Sequence, residues 1–127
     1  MENSTVVELF LSQLKQKAKQ FGIAYRDREK NLQGLADLEI RPVQREEVIL
    51  NLTLEDYNSG PRKDNHHSSG PDYFVFGRTL PNGKEAYIKV TIGQLNKPVQ
   101  CWSFHPAKDP MNYPFKLRKK QIEKKLK

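Results

Sequence analysis

The sequence predicts an α+β domain: a twisted antiparallel β-sheet of at least three strands, with N-terminal helices packed on one face. Two observations carry this expectation. Apolar residues recur at helical spacing in the first half of the chain and at alternating positions in the second half, and these two periods belong to helices and strands. Short turn signals separate the alternating runs, which fits a meander of hairpins and not a parallel sheet with crossover helices. The 127 residues, 36% of them hydrophobic, suffice for one compact domain with a modest core.

The elements follow in order. Over residues 5–21, Val7, Phe10, Leu11, Leu14, Ala18 and Phe21 fall at i, i+3, i+4 spacing, with Lys15, Lys17 and Lys19 mostly off that stripe. Ser4 or Thr5 suits the start of this helix and Gly22 its stop. The stretch IAYRDREK reads as an extended link, and NLQGLADLEI as one or two helical turns with Asn31 as a cap. Pro42 opens another helix, RPVQREEVILNL, whose apolar face is Val43, Val48, Ile49 and Leu52. TLEDYNSGPRKDNHHSSGPD, rich in Gly, Pro, Ser, Asn and Asp, reads as a long loop, and loops of that length tend to be functional. Then come three strand runs, DYFVFGRTL, KEAYIKVTIG and VQCWSFH, with PNG and QLNKP as the turns between them.

Alternation assigns faces. In the middle strand Ala86, Ile88, Val90 and Ile92 point to the core, and Glu85, Tyr87, Lys89 and Thr91 point away. In the last strand Trp102 and Phe104 suit the core, which places Cys101, Ser103 and His105 beside Tyr87 and Lys89. In the first, Phe74 and Phe76 suit the core. Arg78 shares their parity and is expected to reach round from the strand end. A sheet covered on one side presents a polar face on the other, so on alternation alone this face is ordinary solvated surface.

Charge and composition narrow the function. Residues 116–127, KLRKKQIEKKLK, carry seven Lys/Arg and one Glu, a net +6 of the chain's +7. The expected organisation is therefore a nearly neutral domain over residues 1–115 and a basic tail over 116–127. Such a tail is either a solvated end or a handle for phosphates or an acidic partner. The apolar residues of MENSTVVELFLSQLKQ are broken at helical spacing and lack a basic start, so this segment reads as structure and not as a signal peptide. The lone Cys101 allows no internal disulfide, which fits a reducing cytoplasm. His66 and His67 with Asp64 and Asp72 match no metal-ligand spacing. Phosphate loops, dinucleotide fingerprints and nucleophile elbows are absent from the sequence.

EAYIKVTI, a turn, and then VQCWSFHPAKDPMNYPF resemble the C-terminal half of small bacterial toxins related to MqsR, within the RelE-like ribonuclease toxins of type II toxin–antitoxin pairs. In that branch a Tyr-hydrophobic-Lys strand precedes a Ser-Phe strand ending in a basic residue. LTLEDYNSG resembles the acidic-aromatic segment upstream, and the FVFGRTLPNGKEAYIK hairpin also fits. The resemblance covers roughly residues 45–115. It implies a RelE-like toxin fold, endoribonuclease activity on messenger RNA without a metal or other cofactor, and a cognate antitoxin protein that silences the toxin. The family's strand tyrosine falls on Tyr87. Its basic residue after Ser-Phe, usually lysine, is here His105. The family's lysine ahead of the sheet has no clean match; Ser59 lies near that place, with Arg62 and Lys63 just beyond.

The chemistry of RNA cleavage suits these residue types. The 2′-hydroxyl attacks the adjacent phosphorus, which needs a base, an acid for the leaving 5′ oxygen, and cations on the developing phosphorane. His105 has the ordinary pKa for either proton transfer. Lys89 and Arg78 are candidates for holding the phosphate, and Ser103 shares the face of Lys89. Arg62 or Lys63 would close over it. Tyr87 would hydrogen-bond phosphate or stack a base. Glu85 is a base or an ion-pair partner for Lys89 or Arg78. The rival reading is a non-catalytic nucleic-acid- or protein-binding module that uses the basic tail.

Overall fold

The computed structural model describes residues 3–26, 29–63 and 71–116. The elements are α1 (Ser4–Phe21), β1 (Ile23–Tyr25), α2 (Glu29–Leu38), α3 (Pro42–Leu50), a 3₁₀ turn (Leu54–Asp56), β2 (Tyr57–Arg62), β3 (Tyr73–Thr79), β4 (Glu85–Thr91) and β5 (Val99–Pro106). The expected α+β class holds. The sheet, however, is mixed: five strands in the order β1-β5-β4-β3-β2, with β1 parallel to β5 and the other pairs antiparallel.

The two added strands lie where the sequence reads as link and loop. IAY is too short to show a period. Its hydrogen-bond partner, Val99–Cys101, is remote in sequence. β2 is an edge strand containing Gly60 and Pro61, and its register with β3 shifts on both sides of Ser59. An edge tolerates a residue without a ladder donor, and the shifts erase the alternation that would have marked a strand. Asp64, His66 and His67 lie outside the described residues, as does the tail from residue 117.

The core forms between the helices and one face of the sheet. α1 buries Val7, Phe10, Leu11, Leu14 and Ala18, the stripe expected except for Phe21, which is only half-buried, and Phe10 stacks on Phe74 with ring centroids 4.0 Å apart. Its cap is Asn3 and not Ser4 or Thr5: Asn3 Oδ1 accepts from the Thr5 N–H at 2.7 Å, satisfying one of the orphan donors of the first turn. Gly22, at φ 86°, closes the helix by donating its N–H to the Ala18 carbonyl. α3 buries Ile49 but leaves Val43 half exposed, and instead of an apolar side chain it buries Arg45. The Arg45 guanidinium lies 3.5 Å above the Tyr25 ring, an arrangement that offsets part of the cost of burying charge. Burial in turn pushes the Tyr25 phenol up to about 12. Among the described residues, no helix is long and apolar enough to cross a membrane.

α2 has a role that its sequence does not announce. β1 covers only the first part of β5, leaving the backbone from Trp102 onward without a strand neighbour on that side. Asn31 fills the place. It is not a cap but a buried residue inside α2. Its Nδ2 donates to the Arg26 carbonyl at 2.6 Å and the Trp102 carbonyl at 3.2 Å, while Oδ1 accepts from the Phe104 N–H at 3.4 Å. One primary amide thus supplies the donor and acceptor that a strand would have offered. Gly34, one turn on, permits the approach: a Cβ there would lie 2.7 Å from His105 Cβ and 2.9 Å from His105 Cα.

Candidate active site

β4 and β5 pair Tyr87 with His105 and Lys89 with Ser103, so these four side chains share one face, as alternation predicts. One step further the register breaks. Lys89 faces Ser103 but Val90 faces Cys101, so Trp102 is an extra residue opposite the Lys89–Val90 step. This bulge inverts the expected assignment for two residues. Cys101 turns into the core, and Trp102 joins the outer face, where its ring lies 5.9 Å from Tyr73. Bulges commonly re-aim a side chain in this way.

The outer face is not open surface at its His105 end. The chain after β5 folds back across it, and a cleft of about 650 Å³ forms, lined by Tyr87, Lys89, Ser103 and His105 from the sheet, Lys30 from α2, Asn58 from β2, and residues 107–112. Two features make this strap possible. Gly77 sits opposite Tyr87 on β3, and a Cβ at Gly77 would lie 2.5 Å from Met111 Sδ and 2.6 Å from the Tyr113 hydroxyl. The strap occupies the space that glycine leaves. Glu85 then ties it down, Oε1 accepting from the Met111 N–H at 3.1 Å and Oε2 from the Tyr113 hydroxyl at 2.6 Å. Tyr113-Pro114-Phe115 folds back, and Phe115 is buried against Tyr57.

His105 lies at the back of this cleft, 9% exposed. Its ring stacks on Tyr87 with centroids 5.1 Å apart and planes 13° from parallel. Its Nδ1 is 2.9 Å from the Pro106 carbonyl. A carbonyl only accepts, so Nδ1 carries the proton and Nε2 holds the lone pair. Burial lowers the His105 pKa below the ordinary 6.5; the Pro106 bond opposes this, and the nearby Lys30 and Lys108 charges add to it. The imidazole is therefore neutral at pH 7, the state of a general base. Burial also raises the Tyr87 phenol, the neighbouring Tyr73 adds to this, and the Arg62 charge pulls the other way. Tyr87 therefore stays protonated, a hydroxyl able to donate a hydrogen bond to a ligand in the cleft.

The remaining candidates divide. Lys89 and Ser103 line the cleft. Arg62 does not line it, but its charge reaches Tyr87 from the edge strand, and it borders an adjoining groove that shares Asn58 with the cleft. Lys63 is occupied with Asp72 at 2.8 Å on the exposed rim. Arg78 does not reach round: it points to the core side and binds Asp56 Oδ2 at 2.6 Å and the Asn51 carbonyl at 2.7 Å. Both Glu85 oxygens hold the strap, and the expected partner Arg78 is paired with Asp56 instead. Thr91 is buried and donates to the Asp72 carbonyl. Sequence reasoning missed Lys30 and Lys108. A glycine inside a helical pattern and another inside a strand pattern were the available signals, since each marks a close approach of backbone to something else.

Two outcomes follow from this geometry. Glu85→Gln removes the charge from two hydrogen bonds, each worth about 1.5–3 kcal/mol when one partner is ionised. The urea midpoint of unfolding is expected to fall and the strap to loosen, raising KM more than it lowers kcat. A collapse of kcat at unchanged stability would instead make Glu85 a base. For pH, folded His105 binds its proton less readily than the unfolded chain does, so stability and a base-dependent rate are both complete above the ordinary pKa and lost as pH falls through the lower folded value. The acid limb of kcat/KM should lie below pH 6.5; a limb above it contradicts the assignment.

Compared with family models, curated proteins and solved structures, the chain matches none.

Proposed function

We propose that this chain is a metal-independent endoribonuclease of the RelE-like, MqsR-related toxin type, which cleaves messenger RNA and is silenced by a cognate antitoxin protein. The observation that carries the reading is the His105 imidazole, its Nδ1 2.9 Å from the Pro106 carbonyl, set in a cleft of about 650 Å³ whose charged lining is mainly cationic: Lys30, Lys89 and Lys108, against Asp109 alone.

The reaction this arrangement favours is transesterification. His105 Nε2 takes the 2′-hydroxyl proton, the 2′ oxygen bonds to phosphorus, and the bond from phosphorus to the 5′ oxygen breaks. A lysine ammonium at the cleft is the donor that protonates the departing 5′ oxygen, and the other ammonium groups and the Tyr87 hydroxyl meet the negative charge that grows on the phosphorane. The Lys30 and Lys108 charges beside His105 would disfavour a divalent ion there and would do part of the electrostatic work a metal would otherwise do, while the Lys89 ammonium lies over Tyr73.

Induced expression is expected to arrest growth and fragment RNA, and the purified chain to cut RNA in excess chelator. The double variant Tyr87→Phe/His105→Ala should be harmless. Full toxicity in that variant would remove the site assignment, and chelator-sensitive cleavage would remove the metal-free mechanism.

A further inference from the structure

The bulge that carries Trp102 to the outer face builds a second row of groups there, adjoining the His105 cleft at Lys89. Tyr73 faces outward on β3, next to the Trp102 ring. The Arg26 guanidinium lies 4.3 Å over Trp102, and the Lys89 ammonium 4.1 Å over Tyr73. Arg26 is held on its backbone as well, donating its N–H to the Cys101 carbonyl at 3.1 Å and accepting from Asn31 on its own carbonyl. Trp102 is 7% exposed, so it acts as a platform that aims Arg26. Tyr73 is only partly covered.

Tyr73 is level with Thr91, four residues along β4 from Tyr87, which at about 3.3 Å per residue separates the two rows by roughly 13 Å. That is too far for the nucleotide at His105 and suitable for a neighbour along the same strand. Aromatic faces interleaved with oriented cations are what single-stranded nucleic acid grips, bases by stacking and phosphates by charge. We propose that Arg26 and Tyr73 form a subsite for a nucleotide flanking the cleavage point: Arg26 takes its phosphate and Tyr73 stacks its base. The proposal rests on the ribonuclease reading for which nucleotide lies at His105, and it predicts a substrate that is single-stranded and longer than a dinucleotide.

The test is fluorescence anisotropy with fully 2′-O-methylated oligouridylates, which lack the attacking hydroxyl and stay intact. The hexanucleotide is expected to bind at least tenfold more tightly than the dinucleotide, in line with base stacking on an aromatic ring. Tyr73→Leu should erase most of that difference. Arg26→Gln, a substitution that leaves its backbone bonds in place, should also weaken the hexanucleotide and lower the salt slope by about 0.7, one phosphate contact. Dinucleotide affinity should be unchanged in both. A hexanucleotide that binds no better than the dinucleotide, or variants that bind as wild type, overturns the subsite even if His105-dependent cleavage persists. Length-dependent binding lost in both variants, with no cleavage of unmodified RNA, keeps the subsite and removes the ribonuclease reading.

Discussion

His105→Ala is expected to lower the single-turnover rate of RNA cleavage by about 10²–10⁴-fold, the range for losing a general base, while the domain still unfolds in one cooperative transition. The magnitude follows from the absence of a substitute. Glu85 spends both oxygens on the strap, and Tyr87, with its phenol raised by burial, is a poor base at neutral pH. The lysines lining the cleft are proton donors at that pH, not acceptors. The imidazole also fills space between Tyr87 and α2, so some loss of stability is expected, readable as a lower unfolding midpoint. His105→Gln retains more of that volume without a base. Equal inactivity in the two variants with better stability in the second separates chemistry from packing. Cleavage within threefold of wild type in either would show that His105 only supports the cleft.

Gly34→Ala is expected to destabilise the domain by about 1–3 kcal/mol, although on helix propensity alone it should stabilise by nearly 1 kcal/mol. The sign is decided by what the new methyl meets. Phe104 O at 3.0 Å and His105 Cα at 2.9 Å are backbone atoms of a central strand, and they cannot turn aside as a flexible side chain would. α2 must lift from β5. Asn31 then loses the Trp102 and Phe104 bonds, and Lys30 leaves the cleft with the helix. Cleavage should fall together with stability, measured by thermal unfolding and initial rates on one preparation. A more stable Gly34→Ala protein would mean that helix and strand are farther apart than the structure has them.

The parts of the fold that were legible in the sequence are those built on local periodicity. α1, α3 and the β3-β4-β5 meander each carry several turns or alternations of their own, and Tyr87, Lys89, Ser103 and His105 fall on one face because that alternation is intact where it matters. β1 was not legible because three residues carry no period, and β2 was obscured by Gly60, Pro61 and two register shifts. Trp102 was misassigned because a bulge leaves no mark in a single sequence; only the pairing of Val90 with Cys101 discloses it. Arg78 and Glu85 illustrate a different limit. Their charges were visible, but their partners Asp56 and Tyr113 lie far away in the chain, so the sequence left Glu85 as a base or an ion-pair partner and did not show its bonds to the strap. Lys30 and Lys108 reach the cleft through packing at Gly34 and Gly77; Gly34, one turn from Lys30 in α2, is the local signal for the first, and Lys108 has no such neighbour in sequence.

The central claim is that the outer face of β4 and β5 cuts RNA by internal attack of the 2′-hydroxyl. Its most direct test is the chemistry of the ends left on a single-stranded RNA by the purified chain in excess chelator. Mass spectrometry of the fragments should find a 2′,3′-cyclic phosphate on one side of each cut and a 5′-hydroxyl on the other, with an RNA carrying a single 2′-deoxynucleotide at the cut site left whole there. Fragments ending in a 3′-hydroxyl and a 5′-phosphate, or cutting at the deoxynucleotide, would contradict the account.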